Sequence, residues 1–132
     1  ISSYISRYYF QNNNFNKSLE LLKYSQKANP NDLITKELLL RNYIFLDYKE
    51  SAFKAANNLI QLYPDNQTYG KLYFSLISDL KIFNELIDNP IIYRSKNKII
   101  HDMFFETINE DKSIDPGLIR DLKKFSKKVF KK

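Results

Sequence analysis

The chain has no cysteine, no tryptophan, two glycines, four prolines and one histidine in 132 residues. Each shortage removes something. Without Cys there is no disulfide and no thiolate metal site, and the redox setting of the protein is left open. With so few Gly and Pro, a loop-rich all-β fold is disfavoured and long helices are favoured. No apolar run approaches the ~20 residues that a membrane helix needs. The longest, Leu38 to Leu40 and Tyr43 to Leu46, are split by Arg41 and Asn42. No signal peptide is visible. A chain that opens on Ile1 rather than Met is expected to be an excerpt of a longer or processed one, with room upstream for a targeting segment.

What is present suits a helical globular domain. Apolar residues make up 43% and charged residues 27%, and the length is enough to bury a core. The net charge of +6 is uneven. Residues 1–111 hold 13 basic and 13 acidic side chains, whereas residues 112–132 hold 8 basic and 2 acidic. The high pI therefore belongs to the C-terminal segment.

The stretch Phe15 to Pro30, FNKSLELLKYSQKANP, returns as Tyr48 to Pro64, YKESAFKAANNLIQLYP. Both open on an aromatic, carry an amphipathic helix and close with a proline that cannot continue it. The prolines are 34 residues apart, Phe15 and Tyr48 are 33 apart, and Phe83 follows 35 after Tyr48. Such a period in a helical pattern signals stacked two-helix units.

The pattern predicts about eight helices. The first covers 1–13, with Ile1, Tyr4, Ile5, Tyr8 and Tyr9 at helical spacing, and Asn12 to Asn14 form the turn after it. Residues 33–46 are apolar nearly all round and are expected to pack on more than one neighbour. Asp47 and Glu50 have capping-box spacing and are expected to open the next helix. Pro90, preceded by Asn89, is expected to open a helix that runs to Ile108. The last helix starts at Pro116 and carries Leu118, Leu122, Phe125 and Val129 on one face. The domain reading is one helical-repeat domain over 1–132. Its hairpins are 1–31, 32–65 and 66–89, followed by a divergent hairpin, 90–132, with a basic capping helix.

Four features recur in register: an aromatic in the first helix (Tyr9, Tyr43), an aromatic at the turn (Phe15, Tyr48, Phe83), a small residue early in the second helix (Ser18, Ser51 or Ala52), and the closing proline (Pro30, Pro64). With the segment SLELLKYSQKANPND, they make residues 1–88 resemble the tetratricopeptide repeat family. The second copy's second helix runs one residue long in this alignment, and the third copy loses its proline. The resemblance implies an all-α, right-handed α-solenoid of antiparallel hairpins. It also implies a concave face, built from first helices, that binds an extended peptide or a partner helix. Carried over, that face exposes Ser3, Arg7, Phe10, Glu37, Arg41, Ile44, Lys71 and Ser75. Arg7, Arg41 and Lys71 would favour an acidic peptide. The family's chaperone-tail clamp is not expected, because Glu37 and Leu38 fall where it requires other residues. The plainer alternative is that these are solvated charges on a scaffold, since exposed Arg and Lys are common on any helix.

Chemistry is weakly encoded. His101 with Asp102 makes a His-Asp pair, but a metal shell needs further ligands and no second His exists, so a structural histidine is expected. Asp102, Glu106 and Glu110 repeat every four residues, a spacing that suits a solvated acidic stripe paired with lysines better than a hard-cation site. No phosphate loop, nucleophile elbow or Cys nucleophile is present. Neither enzyme activity nor a cofactor is expected. The basic C-terminal helix, with Lys123, Lys124, Lys127 and Lys128, admits three readings. It is a polar cap on the stack, a basic amphipathic helix for an anionic membrane surface, or an arm for RNA phosphates. The favoured function is a protein–protein interaction scaffold that binds a partner peptide or helix in its concave face or presents a neighbouring domain, and the alternative is a basic helical-repeat module for RNA or an anionic membrane surface.

Overall fold

A computed structural model describes the backbone of residues 2–131 and the side chains of residues 5–131. Ile1, Lys132 and the side chains of Ser3 and Tyr4 therefore lie outside the described residues. The described residues form eight α-helices and one 3-10 turn, with no strand. In chain order these are α1 (Ser2–Gln11), α2 (Phe15–Ala28), α3 (Leu33–Phe45), α4 (Lys49–Leu62), α5 (Gln67–Leu80), α6 (Asn84–Asp88), the 3-10 turn Ile91–Tyr93, α7 (Lys98–Ile108) and α8 (Pro116–Phe130). The chain divides into two compact units, Ile1–Ala55 and Ala56–Lys132, with the boundary inside α4.

The backbone carries the period at its helix ends. Among the described residues, the non-glycine residues with positive φ are Asn13 (63°), Asp47 (61°) and Lys81 (56°), spaced at intervals of 34. At each, the next amide reaches back five residues. Asn14 N–H donates to the Tyr9 carbonyl at 2.7 Å, Tyr48 to Tyr43 at 2.9 Å and Ile82 to Ile77 at 3.2 Å. Asn13 N–H to Phe10 and Asp47 N–H to Ile44 complete the first two as Schellman closures, which satisfy carbonyls the helix end leaves open. Helix starts follow the same interval. Asp32 and Asn66 cap α3 and α5 by accepting from the Thr35 and Tyr69 amides. So does burial: Ser18, Ala52 and Leu86 are each at most 1% exposed. Ala52, rather than Ser51, is the small residue in register.

Two expectations about helix ends need correction. Asp47 does not cap α4: its left-handed backbone closes α3, and α4 begins at Lys49. Consequently α2 and α4 are both 14 residues, and the extra residue of the second copy lies before the helix. Pro90 opens only the 3-10 turn, and α7 starts at Lys98. The interruption has a cause. Asp65 Oδ1 accepts from the Ser95 hydroxyl (3.1 Å) and the Lys96 amide (2.6 Å), while Asn97 Nδ2 donates to the Asp65 carbonyl (3.3 Å). Those bonds hold 95–97 off the helix path. As expected, α3 packs on more than one neighbour, α1 and α2, though not all of its apolar residues are covered. Leu38, Leu39 and Leu40 are buried, but Ile34 and Phe45 are exposed.

In the first unit α1, α2 and α3 pack on one another. Leu19 and Leu22 of α2 meet Leu38 and Leu39 of α3, flanked by Tyr43 and Leu46. Phe10, Phe15 and Phe45 form an aromatic cluster with ring centroids 5.0 to 5.3 Å apart. In the second unit α5 packs on α7, and α7 on α8 and the 3-10 turn. Gly70 permits that first approach, since a Cβ there would lie 3.2 Å from Ile100 Cγ1. Leu122 and Ser126 form the buried face of α8, whereas Val129, expected on the apolar stripe, is exposed.

Candidate functional site

Helical spacing sets Arg7, Phe10 and Gln11 on one face of α1. The same spacing sets Ile34, Glu37, Leu38 and Arg41 on one face of α3. Because α1 and α3 pack together, the two faces meet, and these seven residues line one cleft of about 370 Å³. Arg7, Arg41 and Glu37 supply its charged lining, and Phe10, Ile34 and Leu38 its apolar lining. Leu38 is buried and Phe10 half-buried, while Arg7 and Arg41 are exposed to solvent. Phe10 packs on Phe15, the first residue of α2, and on Phe45, the last residue of α3.

The structure thus brings Arg7, Phe10, Glu37 and Arg41 to one cleft. Ile44 continues the same line of α3 but is not part of the lining; it stands exposed beyond Arg41. Lys71 and Ser75 sit four apart on the exposed face of α5, in the second unit. Ser3 lies outside the described side chains. Gln11, Ile34 and Leu38 were missed as candidates; the i, i+3, i+4 ladder from Arg7 and Arg41 points to Gln11 and Leu38, and from Glu37 to Ile34.

A second cleft, of about 550 Å³, lies in the second unit between α8 and the segment that precedes it. Lys112, Arg120, Lys123, Lys124 and Lys127 surround it, with Ile114, Pro116 and Ile119 as its apolar part. Asp111 is its one carboxylate. The Ser113 hydroxyl (2.7 Å) and amide (3.0 Å) both donate to Asp111 Oδ1 and hold its carboxyl below the usual range. Lys128, the fourth lysine of the expected basic face, is exposed and stands outside the cleft.

His101 is fully buried and joins three segments. Its Nε2 lies 2.7 Å from the Ser95 carbonyl and its Nδ1 2.7 Å from Ser126 Oγ. A carbonyl only accepts, so Nε2 carries a proton; in the neutral ring Nδ1 accepts from Ser126. The ring also meets Phe130 edge-on at 4.7 Å. It is a packing histidine, locked by what it touches. The acidic stripe of α7 is dispersed: Asp102 pairs with Lys98 at 2.9 Å, and Glu110 accepts from Ser78 at 2.8 Å. Among the described residues no group of three His, Cys, Asp or Glu could hold a metal ion, and no helix is long and apolar enough to cross a membrane.

Comparison with protein-family models, curated proteins and solved structures finds no match to this chain. The functional reading therefore rests on the two clefts and on the period that builds the first of them.

Proposed function

We propose that the chain is a tetratricopeptide-like helical-repeat module that holds a protein partner, and that the α1–α3 cleft is where a peptide or helix of that partner docks. The carrying observation is the convergence of Arg7, Phe10, Glu37 and Arg41 on one cleft. The same residues follow from the repeat resemblance alone. The recurring left-handed closures at Asn13, Asp47 and Lys81 support the repeat reading, because each ends a first helix at the same register.

The chemistry defines the ligand. The apolar lining of Phe10, Ile34 and Leu38 takes an aliphatic or aromatic anchor, which supplies most of the affinity at small interfaces. Arg7 and Arg41 present forked donors to carboxylates, giving orientation and selectivity against basic sequences. The ligand class is an acidic segment carrying one or two apolar anchors.

Selection of a random-peptide phage library on the immobilised chain tests this. Enriched peptides should combine Asp or Glu with an apolar anchor. Arg41→Glu, at an exposed position, should leave the circular dichroism and Tm unchanged and weaken the selected peptides by about tenfold or more. Peptides without acidic residues, or peptides that bind the folded variant equally well, would refute the proposal.

A further inference from the structure

The cationic cleft beside α8 is independent of the peptide cleft. Five basic side chains face it against the single carboxylate of Asp111. Lys17–Glu20 and Lys98–Asp102 pair elsewhere, and among the described residues none of the five cleft cations is joined to a carboxylate in an ion pair, although Lys123 Nζ also lies over the Phe105 ring at 6.0 Å. Capping alone does not account for this arrangement. A cap needs a polar outer face, and scattered lysines would serve, whereas here they converge on a concavity.

The helix N-terminus is not the attraction, because Asp115 already accepts from the Gly117 amide there at 3.1 Å. Nor does α8 offer an apolar face for a bilayer. Leu122 and Ser126 are buried, Phe125 packs on Tyr93 at 4.7 Å, and Phe130 packs on His101. A membrane-surface helix needs that face free. Beyond the cleft the cations continue with Lys128 on α8 and Lys131 just past its end, both exposed. A concave start that runs on into a linear basic track suits a flexible chain of negative charges. It does not suit a flat surface or a stiff duplex, which bends only over tens of nanometres.

We propose that this cleft and track bind the phosphate backbone of single-stranded nucleic acid. No aromatic residue lines the cleft, so bases are not stacked there, and binding is set by phosphate contacts with little sequence preference.

Fluorescence anisotropy with a labelled oligouridine of about twelve nucleotides tests it on the whole chain. Non-specific single-strand binding in the range of about 10⁻⁴ to 10⁻⁶ M is expected, weakening with salt by about 0.7 log units per phosphate contact for each log unit of salt. Lys123→Gln, Lys124→Gln and Lys127→Gln together should reduce that slope by about two and weaken binding by at least tenfold. Asp111→Asn should tighten it. A matched triple variant in the first unit, Lys17→Gln, Lys23→Gln and Lys27→Gln, should change neither. No binding by the unaltered chain, or an equal loss in both triple variants, overturns the proposal. So does capture by phosphatidylserine vesicles with no oligonucleotide binding.

Discussion

Three side chains hold backbone that L-residues avoid. At Asn13 the cost is low, because Asn tolerates the left-handed region; at Lys81 nothing in the side chain offsets it. Lys81→Gly should therefore stabilise the chain by about 0.5–1 kcal/mol, while Lys81→Val should destabilise it by about 1–2 kcal/mol. Chemical denaturation of the two variants reads both signs, and equal midpoints would mean the closure is not strained. Tyr73 gives a second residue-level expectation. It is 2% exposed, and burial, reinforced by the Glu85 charge, pushes its phenol from 10.0 up to about 12. Below pH 10 the phenol is protonated in folded and unfolded chains alike, and its contribution to stability is fully present. Between 10 and about 12 the unfolded chain gives up the proton while the folded one keeps it, so stability falls by up to about 3 kcal/mol. Tyr73→Phe should flatten the alkaline decline in Tm over that window. An unaltered decline would show that other groups cause it.

At the scale of elements, the helix ends explain both what could be read in advance and what could not. The apolar periodicity of Phe15, Leu19 and Leu22, and the prolines Pro30 and Pro64, lie in the sequence as residue types, so the existence and order of the helices were legible. Asp47 was not. Asp is both a good cap and a residue that accepts left-handed backbone. Only the bonds from Asp47 to Ile44 and from Tyr48 to Tyr43 decide that it ends α3. The break before α7 was hidden for a different reason. It depends on Asp65, some thirty residues upstream, and no local pattern announces a distant acceptor. Asp65→Ala removes the acceptor of the Ser95 hydroxyl and the Lys96 amide. It should cost about 1–2 kcal/mol, with faster amide exchange at Ser95, Lys96 and Asn97. Unchanged exchange at those amides would mean the loop holds its shape unaided.

At the scale of the molecule, each compact unit carries its own concavity, and the two differ in chemistry. The first mixes apolar residues with two guanidinium groups and one carboxylate; the second sets five basic side chains against one carboxylate around an apolar part. The charge bookkeeping of the sequence already located the second, since the last 21 residues hold the whole excess. It did not reveal that Lys112 and Arg120 face Lys123, Lys124 and Lys127, because Lys112 precedes the helix and its position depends on how the chain turns into α8. The first cleft was legible through four of its seven residues, and only because the repeat register told which face of α1 and α3 is shared. Ile44 fits that register by sequence, one turn beyond Arg41, but stands exposed outside the lining.

The most direct test follows amide chemical shifts by NMR while a selected acidic peptide is titrated into the chain. The account predicts that the largest shifts fall on Arg7, Phe10, Gln11, Ile34, Glu37 and Arg41, and vanish in Arg41→Glu. Shifts concentrated on the lysines of α8, or scattered without a cluster on α1 and α3, would contradict it.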